Sequence, residues 1–177
     1  VGAQASQMVL KDVSGFNPNI KPPVYNIAKA RALVAMAAAA GVDVKEPITL
    51  VARKGTYSGV DLQVQVIQEA LNSIGLNARV QLTEPAVFNT YSRSPFNRSQ
   101  PGSTILVLKH GNQAGDGSFS YRIYASGIDV SYANDPKSTD MVNKAMSLTG
   151  TKRAQAFEEL AAYAANQFWT MPVVRLG

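Results

Sequence analysis

The chain of 177 residues contains no cysteine. That excludes disulfides, thiolate nucleophiles and cysteine-based zinc sites, and it fits cytoplasmic and exported proteins alike. There is one histidine, His110. A histidine-based metal site needs further ligands at fixed spacing, and Asp116 alone does not supply them. No bound cofactor is expected. Long apolar runs are missing as well. The Ala-rich run from Ala35 to Ala40 stops at Gly41, short of the ~18–20 residues that span a bilayer. Charged residues make up only 16%, below the usual ~25%. With 46% hydrophobic residues, the chain has enough apolar surface for a core and is not a solvating, disordered sequence. Its length suits one domain or one lobe of something larger.

Catalytic and nucleotide signatures are also absent. The stretch Gly111–Gly117 has neither the Gly-Lys-Ser/Thr of a phosphate-binding loop nor a Gly-x-Gly-x-x-Gly pattern. Ser118 and Asp116 lie near His110 in sequence, but no Gly-x-Ser-x-Gly is present. Three polar residues in one loop do not make a triad. The expectation is a protein that is not an enzyme.

The formal net charge is +5, which raises the alternative of a basic α/β nucleic-acid-binding or regulatory domain. Against it, lysines and arginines are scattered from Lys11 to Arg175, and the only adjacent pairs are Arg53-Lys54 and Lys152-Arg153. No nucleic-acid partner is expected.

What is present is organised around Pro47–Thr83. Ile48–Ala52 reads as a short strand, followed by the loop Arg53–Gly59. Val60, Val64, Ile67, Leu71 and Ile74 then recur at helical spacing. Gly75 sits where a left-handed cap is needed, and Asn77–Thr83 alternates like a second strand. Two strands joined by a crossover helix lie parallel. In open sheets of this kind ligands bind beyond the carboxyl ends of the strands.

Before this unit, residues 1–25 are an irregular lead-in marked by Pro18, Pro22 and Pro23. Asn26 caps a helix from Lys29 to Ala40, whose stripe of Ala30, Leu33, Val34, Ala37 and Ala38 suits close packing on a sheet. After it, Glu84-Pro85 opens a short helix over Ala86–Ser92. The continuous apolar run Thr104–Lys109 predicts a central strand buried on both faces. Phe119–Ser126 reads as a short helix and Tyr132–Pro136 as a turn. Ser138 is expected to cap a helix bearing Met141, Val142, Ala145 and Met146. In the last long helix, Lys152–Phe168, the residues Phe157, Leu160, Ala161, Ala164 and Phe168 share a face. Phe157, Phe168 and Trp169 read as core. Met171–Leu176 is expected as a final strand of the same sheet. The start at Val1 and the stop at Gly177 give the expectation of a segment cut from a longer protein.

The functional candidates lie on strand-end loops. His110, Gly111, Asn112, Gln113 and Asp116 form a polar, glycine-relaxed loop after the Thr104–Lys109 strand, a pattern suited to small-molecule recognition. Tyr57, Phe88 and Tyr91 offer aromatic faces for stacking, with partial burial as the other reading.

Several segments together resemble the second lobe of the family 5 extracytoplasmic solute-binding proteins of ABC importers. They are Gly15–Pro22 with Tyr25–Leu33, Ile48–Ala52 with Val66–Leu76, Tyr132–Pro136 with Asp140 and Ala145, and Lys152-Arg153 with Phe157–Glu159 and Met171-Pro172. The resemblance implies an α/β fold, a mixed, largely parallel sheet flanked by helices, forming one lobe of a periplasmic-binding-protein-like type II fold over residues 1–177. It implies a peptide or other small-molecule ligand held in an interlobe cleft, an ABC permease as membrane partner, and a first lobe of the same chain outside this sequence. The implied location is extracytoplasmic, in the periplasm or at the cell surface, anchored through a part not in this sequence. His110 stands at the position of a family Trp, and Gln113 at that of the Asp that holds a peptide's amino terminus. Phe119 stands at a family Phe. An Arg that often takes the carboxylate end falls near Tyr91, where this chain has Arg93 two residues on. A longer peptide held by backbone bonds and a non-peptide solute both remain open.

Overall fold

The computed structural model describes residues 3–126, Ala133 and residues 135–175. In chain order the elements are β1 (Ala3–Gln4), α1 (Ile27–Ala39), β2 (Pro47–Arg53), α2 (Val60–Ser73), β3 (Asn77–Thr83), α3 (Pro85–Ser92), β4 (Ser103–Val107), α4 (Ser118–Ala125), α5 (Pro136–Met146), α6 (Gly150–Gln167) and β5 (Val174–Arg175). Tyr132, Asn134, Leu176 and both terminal residues, which figure in the sequence reading, lie outside the described residues. The chain forms two compact units, Tyr25–Lys109 and a second made of Val1–Val24 with His110–Gly177.

The Tyr25–Lys109 unit is built on a three-stranded parallel sheet in the order β3-β2-β4. Leu50, Val51 and Ala52 of β2 are fully buried, as an apolar run covered on both faces requires. On one face Ala52 packs with Val60 and Val64 of α2, joined by Tyr57, Val80, Leu82 and Val107. On the other Val51 packs with Phe88 and Tyr91 of α3, Leu106 and Leu108. The helical spacing read from Val60 onward therefore faces the sheet, and β2 and β3 are parallel as the crossover requires. The Asn26 side chain accepts from the Lys29 amide at 2.8 Å, the N-cap bond expected there.

Two expectations for this unit are corrected. The apolar run after Thr104 is not central. It forms β4, which among the described residues pairs only with β2 and leaves Ile105 42% exposed. An edge strand packed through Leu106 and Val107 has the same apolar composition as a central one, so composition alone does not separate them. Helix α1 does not bury its stripe against the sheet. It has no buried residue, and Leu33 and Met36 are exposed. It meets the C-terminal end of α2, where Arg31 Nε donates to the Ser73 carbonyl at 3.0 Å. Alanines offer too little apolar area to draw the helix onto the sheet.

In the other unit α4, α5 and α6 enclose a core of Tyr121, Ala125, Val142, Ala145, Phe157, Leu160, Ala161 and Ala164, with Val9 of the lead-in. Gln7 fixes the lead-in by a two-way bond to the Asn17 backbone (2.8 and 3.0 Å), and Asn17 Nδ2 donates to the Glu158 carbonyl at 2.9 Å. Gly15 stands against α6 with φ +88°, and a Cβ there would lie 2.6 Å from Phe157 Cβ.

Three further expectations change here. Val174–Arg175 does not join the parallel sheet. It pairs antiparallel with Ala3–Gln4, a strand of the lead-in too short to show any period in the sequence. Asp135, not Ser138, caps α5. Its Oδ2 accepts from the Ser138 amide at 2.8 Å, while the buried Ser138 hydroxyl donates to the Ala125 carbonyl at 2.6 Å. Phe168 leaves the core face because it ends α6 in a left-handed turn (φ 55°) that turns it out to 84% exposure. Trp169 packs at the margin of the core, edge-on to Tyr163 at 6.0 Å.

Candidate functional site

The loop after Lys109 is set by its side chains as much as by its glycines. Asn112 is used at both ends of its amide. Oδ1 accepts from the Leu10 amide at 2.9 Å, and Nδ2 donates to the Met8 carbonyl at 3.3 Å and to Ser120 Oγ at 2.7 Å. The loop is thereby tied to the lead-in and to α4 together. Ser120 also bonds His110 Nε2 at 2.8 Å. The His110 ring stacks on Phe119 with centroids 5.6 Å apart and meets Tyr124 edge-on at 5.1 Å. Burial holds the His110 pKa below the ordinary 6.5, because the charged imidazolium loses solvation there. The ring is therefore neutral at physiological pH.

Asp116 has both carboxylate oxygens engaged within the protein. Its Oδ2 accepts from Arg153 Nε at 2.6 Å, and its Oδ1 accepts from both the amide (2.9 Å) and the hydroxyl of Ser118. Burial by itself would raise this carboxyl. The bonds from Arg153 and Ser118 and the guanidinium charge outweigh it and hold the pKa below the ordinary carboxylate value. Arg153 in turn reaches the last carbonyls of α5, at Ala145 and Met146, and lies over the Phe157 ring. Gly117 donates to the Ser14 carbonyl at 2.9 Å and has no room for a Cβ beside Phe157. Gly111 and Gln113 are exposed.

The aromatic candidates belong to the other unit. Phe88 and Tyr91 are 9% and 4% exposed within the α3 cluster. The Tyr91 hydroxyl accepts from Gln81 at 3.3 Å and Gln100 at 3.5 Å. Tyr57 is half-buried against α2 and donates its hydroxyl to Gln63 Oε1. All three fill the unit's own packing. The structure thus joins His110 and Asn112 through Ser120 and ties Asp116 separately to Ser118 and Arg153, leaves Gly111 and Gln113 exposed on the same loop, and puts Tyr57 in one cluster and Phe88 and Tyr91 in another.

Sequence reading missed Ser120, Tyr124 and Arg153. Ser120 and Tyr124 are four residues apart in a helical stretch, which puts both on the face that His110 meets. Arg153 carried no comparable signal, since its partner lies 37 positions away. Among the described residues no cluster of His, Asp and Glu could hold a metal ion, and no helix is long and apolar enough to cross a membrane. Several basic groups are engaged within the protein: Arg31 and Lys45 on backbone carbonyls, Lys54 on Glu84 and Arg153 on Asp116.

No protein-family model and no curated protein sequence matches this chain. Solved structures do. CtaP, an ABC transporter substrate-binding protein of Listeria monocytogenes, superimposes with a TM-score of 0.81 at 18% identity, over 98% of this chain and 34% of its own. The oligopeptide-binding protein AppA of Bacillus subtilis, solved with a nonapeptide, gives 0.71 at 18% identity over 98% and 36%. A nickel ABC transporter protein of Bacillus halodurans gives 0.74 at 17% over 98% and 37%. The chain spans about a third of the length of these proteins. It has the α/β fold of one lobe of the periplasmic-binding-protein type.

Proposed function

We propose that the protein carrying this chain is the substrate-binding component of an ABC importer. It captures a peptide or another small solute in a cleft between two lobes and hands it to the membrane permease, without catalysis. Residues 1–177 are one lobe of that pair, and the other lies outside this sequence. The work is extracytoplasmic, with attachment to the membrane through a part not in this sequence. The observation that carries this reading is the match of 98% of the chain to lobes of solute-binding proteins, at a TM-score of up to 0.81 among the structures compared. The sequence segments that resemble family 5, from Gly15 to Pro172, support it independently. In this reading the 110–116 loop supplies the lobe's ligand contacts, and Tyr57, Phe88 and Tyr91 serve as packing within the Tyr25–Lys109 unit.

Thermal unfolding of the full-length protein against a panel of peptides, oligosaccharides and nickel tests the reading. A ligand bound at 100 times its Kd stabilises the folded state by about 2.7 kcal/mol, a shift of several degrees. The proposal expects such a shift with at least one peptide or solute. No shift with any member, from protein that is folded, overturns it.

A further inference from the structure

The hydrogen bonds around His110 fix the proton on its ring. The Asn112 amide has one orientation, because the Leu10 N–H needs its oxygen and the Met8 carbonyl needs its nitrogen. Nδ2 therefore donates to Ser120 Oγ. Ser120 is fully buried, so its own proton must find an acceptor inside the protein. The remaining side-chain partner at that oxygen is His110 Nε2, at 2.8 Å. Nε2 is then the bare nitrogen, and the ring proton sits on Nδ1. Nδ1 has no hydrogen-bond partner among the described residues, and it is not a buried orphan. The same holds for the Tyr124 hydroxyl, beside the ring. The loop's carboxylate is meanwhile committed to Arg153 and Ser118.

We propose that His110 is a fixed, neutral Nδ1–H donor for a ligand carbonyl oxygen, with Asn112 and Ser120 as the positioning residues that set its tautomer. The site so formed reads an uncharged backbone unit of a peptide, not a terminal ammonium. The assignment of the ligand rests on the solute-binding reading above; the tautomer does not. A ring stacked on Phe119 and bonded at Nε2 has little freedom left, so the donor direction is set before the ligand arrives.

Long-range proton–nitrogen spectra of the full-length protein, labelled at histidine and assigned with His110→Phe, test the first part. The expected result is the Nδ1–H form in the wild type, and a shift toward the Nε2–H form in Ser120→Ala, which removes the donor to Nε2. Asn112→Asp should move it the same way, since a carboxylate would take the Ser120 proton. An Nε2–H ring in the folded wild type overturns the proposal, whatever the ligand. Titration with hexa-alanine, with free and with acetylated amino terminus, tests the second part. His110→Phe keeps the stack and loses the donor, and should weaken both peptides by the same factor, roughly five- to tenfold for one hydrogen bond. Unchanged affinity for both overturns the ligand role. So does a loss confined to the free-amine peptide. If neither peptide binds while the ring is Nδ1–H, the ligand assignment falls with the peptide reading and the tautomer stands.

Discussion

Arg153 Nε reaches Asp116 Oδ2 at 2.6 Å and joins α6 to the loop that leads into α4, with both side chains about one-fifth exposed. The pair closes a ring of contacts that includes Ser118, the end of α5 and the Phe157 face. Asp116 is thus part of the frame that holds the loop.

Replacing Asp116 with Asn leaves Arg153 without its counter-charge and should cost about 1–3 kcal/mol, less than a fully buried pair because the site is partly solvated. Urea unfolding of the variant against the wild type measures it. The pH dependence has a definite sign. The folded pKa of Asp116 lies below the ordinary 3.8, so its stabilisation is complete at neutral pH and is lost as pH falls below 3.8 through the folded value. Asp116→Asn should flatten the stability curve in that acid window and leave its shape above pH 5 unchanged.

His110 acts in a higher window. Its folded pKa lies below 6.5, so below pH 6.5 the unfolded chain takes up a proton that the folded one resists. Stability should therefore decline from pH 6.5 downward until the folded pKa is reached. In His110→Phe this decline should vanish. Chemical unfolding between pH 7.5 and 5 is the measurement, and equal slopes in the two proteins would contradict a half-buried ring held neutral.

The order of the parallel sheet can be checked by two truncations. Leu50→Ala in the central strand should cost about 2–5 kcal/mol. Ile105→Ala in β4, at 42% exposure, should cost about 1 kcal/mol or less, since much of that side chain is already in water. Comparable losses at both positions would favour a buried, central β4.

Gly15 and Gly55 both have positive φ, +88° and +66°, but only Gly15 faces a neighbour within 4 Å. Gly55→Ala should cost about 1 kcal/mol of backbone strain. Gly15→Ala adds the collision with Phe157 and should cost about 2–5 kcal/mol. The difference in melting temperature between the two variants reads the packing contribution alone.

Much of the fold was legible from periodicity. The β2–α2–β3 unit has the spacing, capping glycine and alternation that dictate it, and the core face of α6 follows from Phe157, Leu160, Ala161 and Ala164. What was not legible depends on distant partners. The pairing of Ala3–Gln4 with Val174–Arg175 spans nearly the whole sequence. The exposed state of β4 depends on which strands flank it, and Phe168 turns outward through one backbone angle. At the candidate site, sequence reading located the loop but not its internal bonding. Asn112 and Asp116 have the composition of ligand contacts, and only the positions of Met8, Leu10, Ser120 and Arg153 show that their polar atoms are already engaged.

The central claim is solute capture, and native mass spectrometry of the full-length protein, purified gently from its own host, tests it most directly. The account predicts bound mass above that of the polypeptide, either a series spaced by amino-acid residues or one defined solute, released when the protein unfolds. A folded protein that emerges empty and stays empty after incubation with peptides, oligosaccharides and nickel would contradict it.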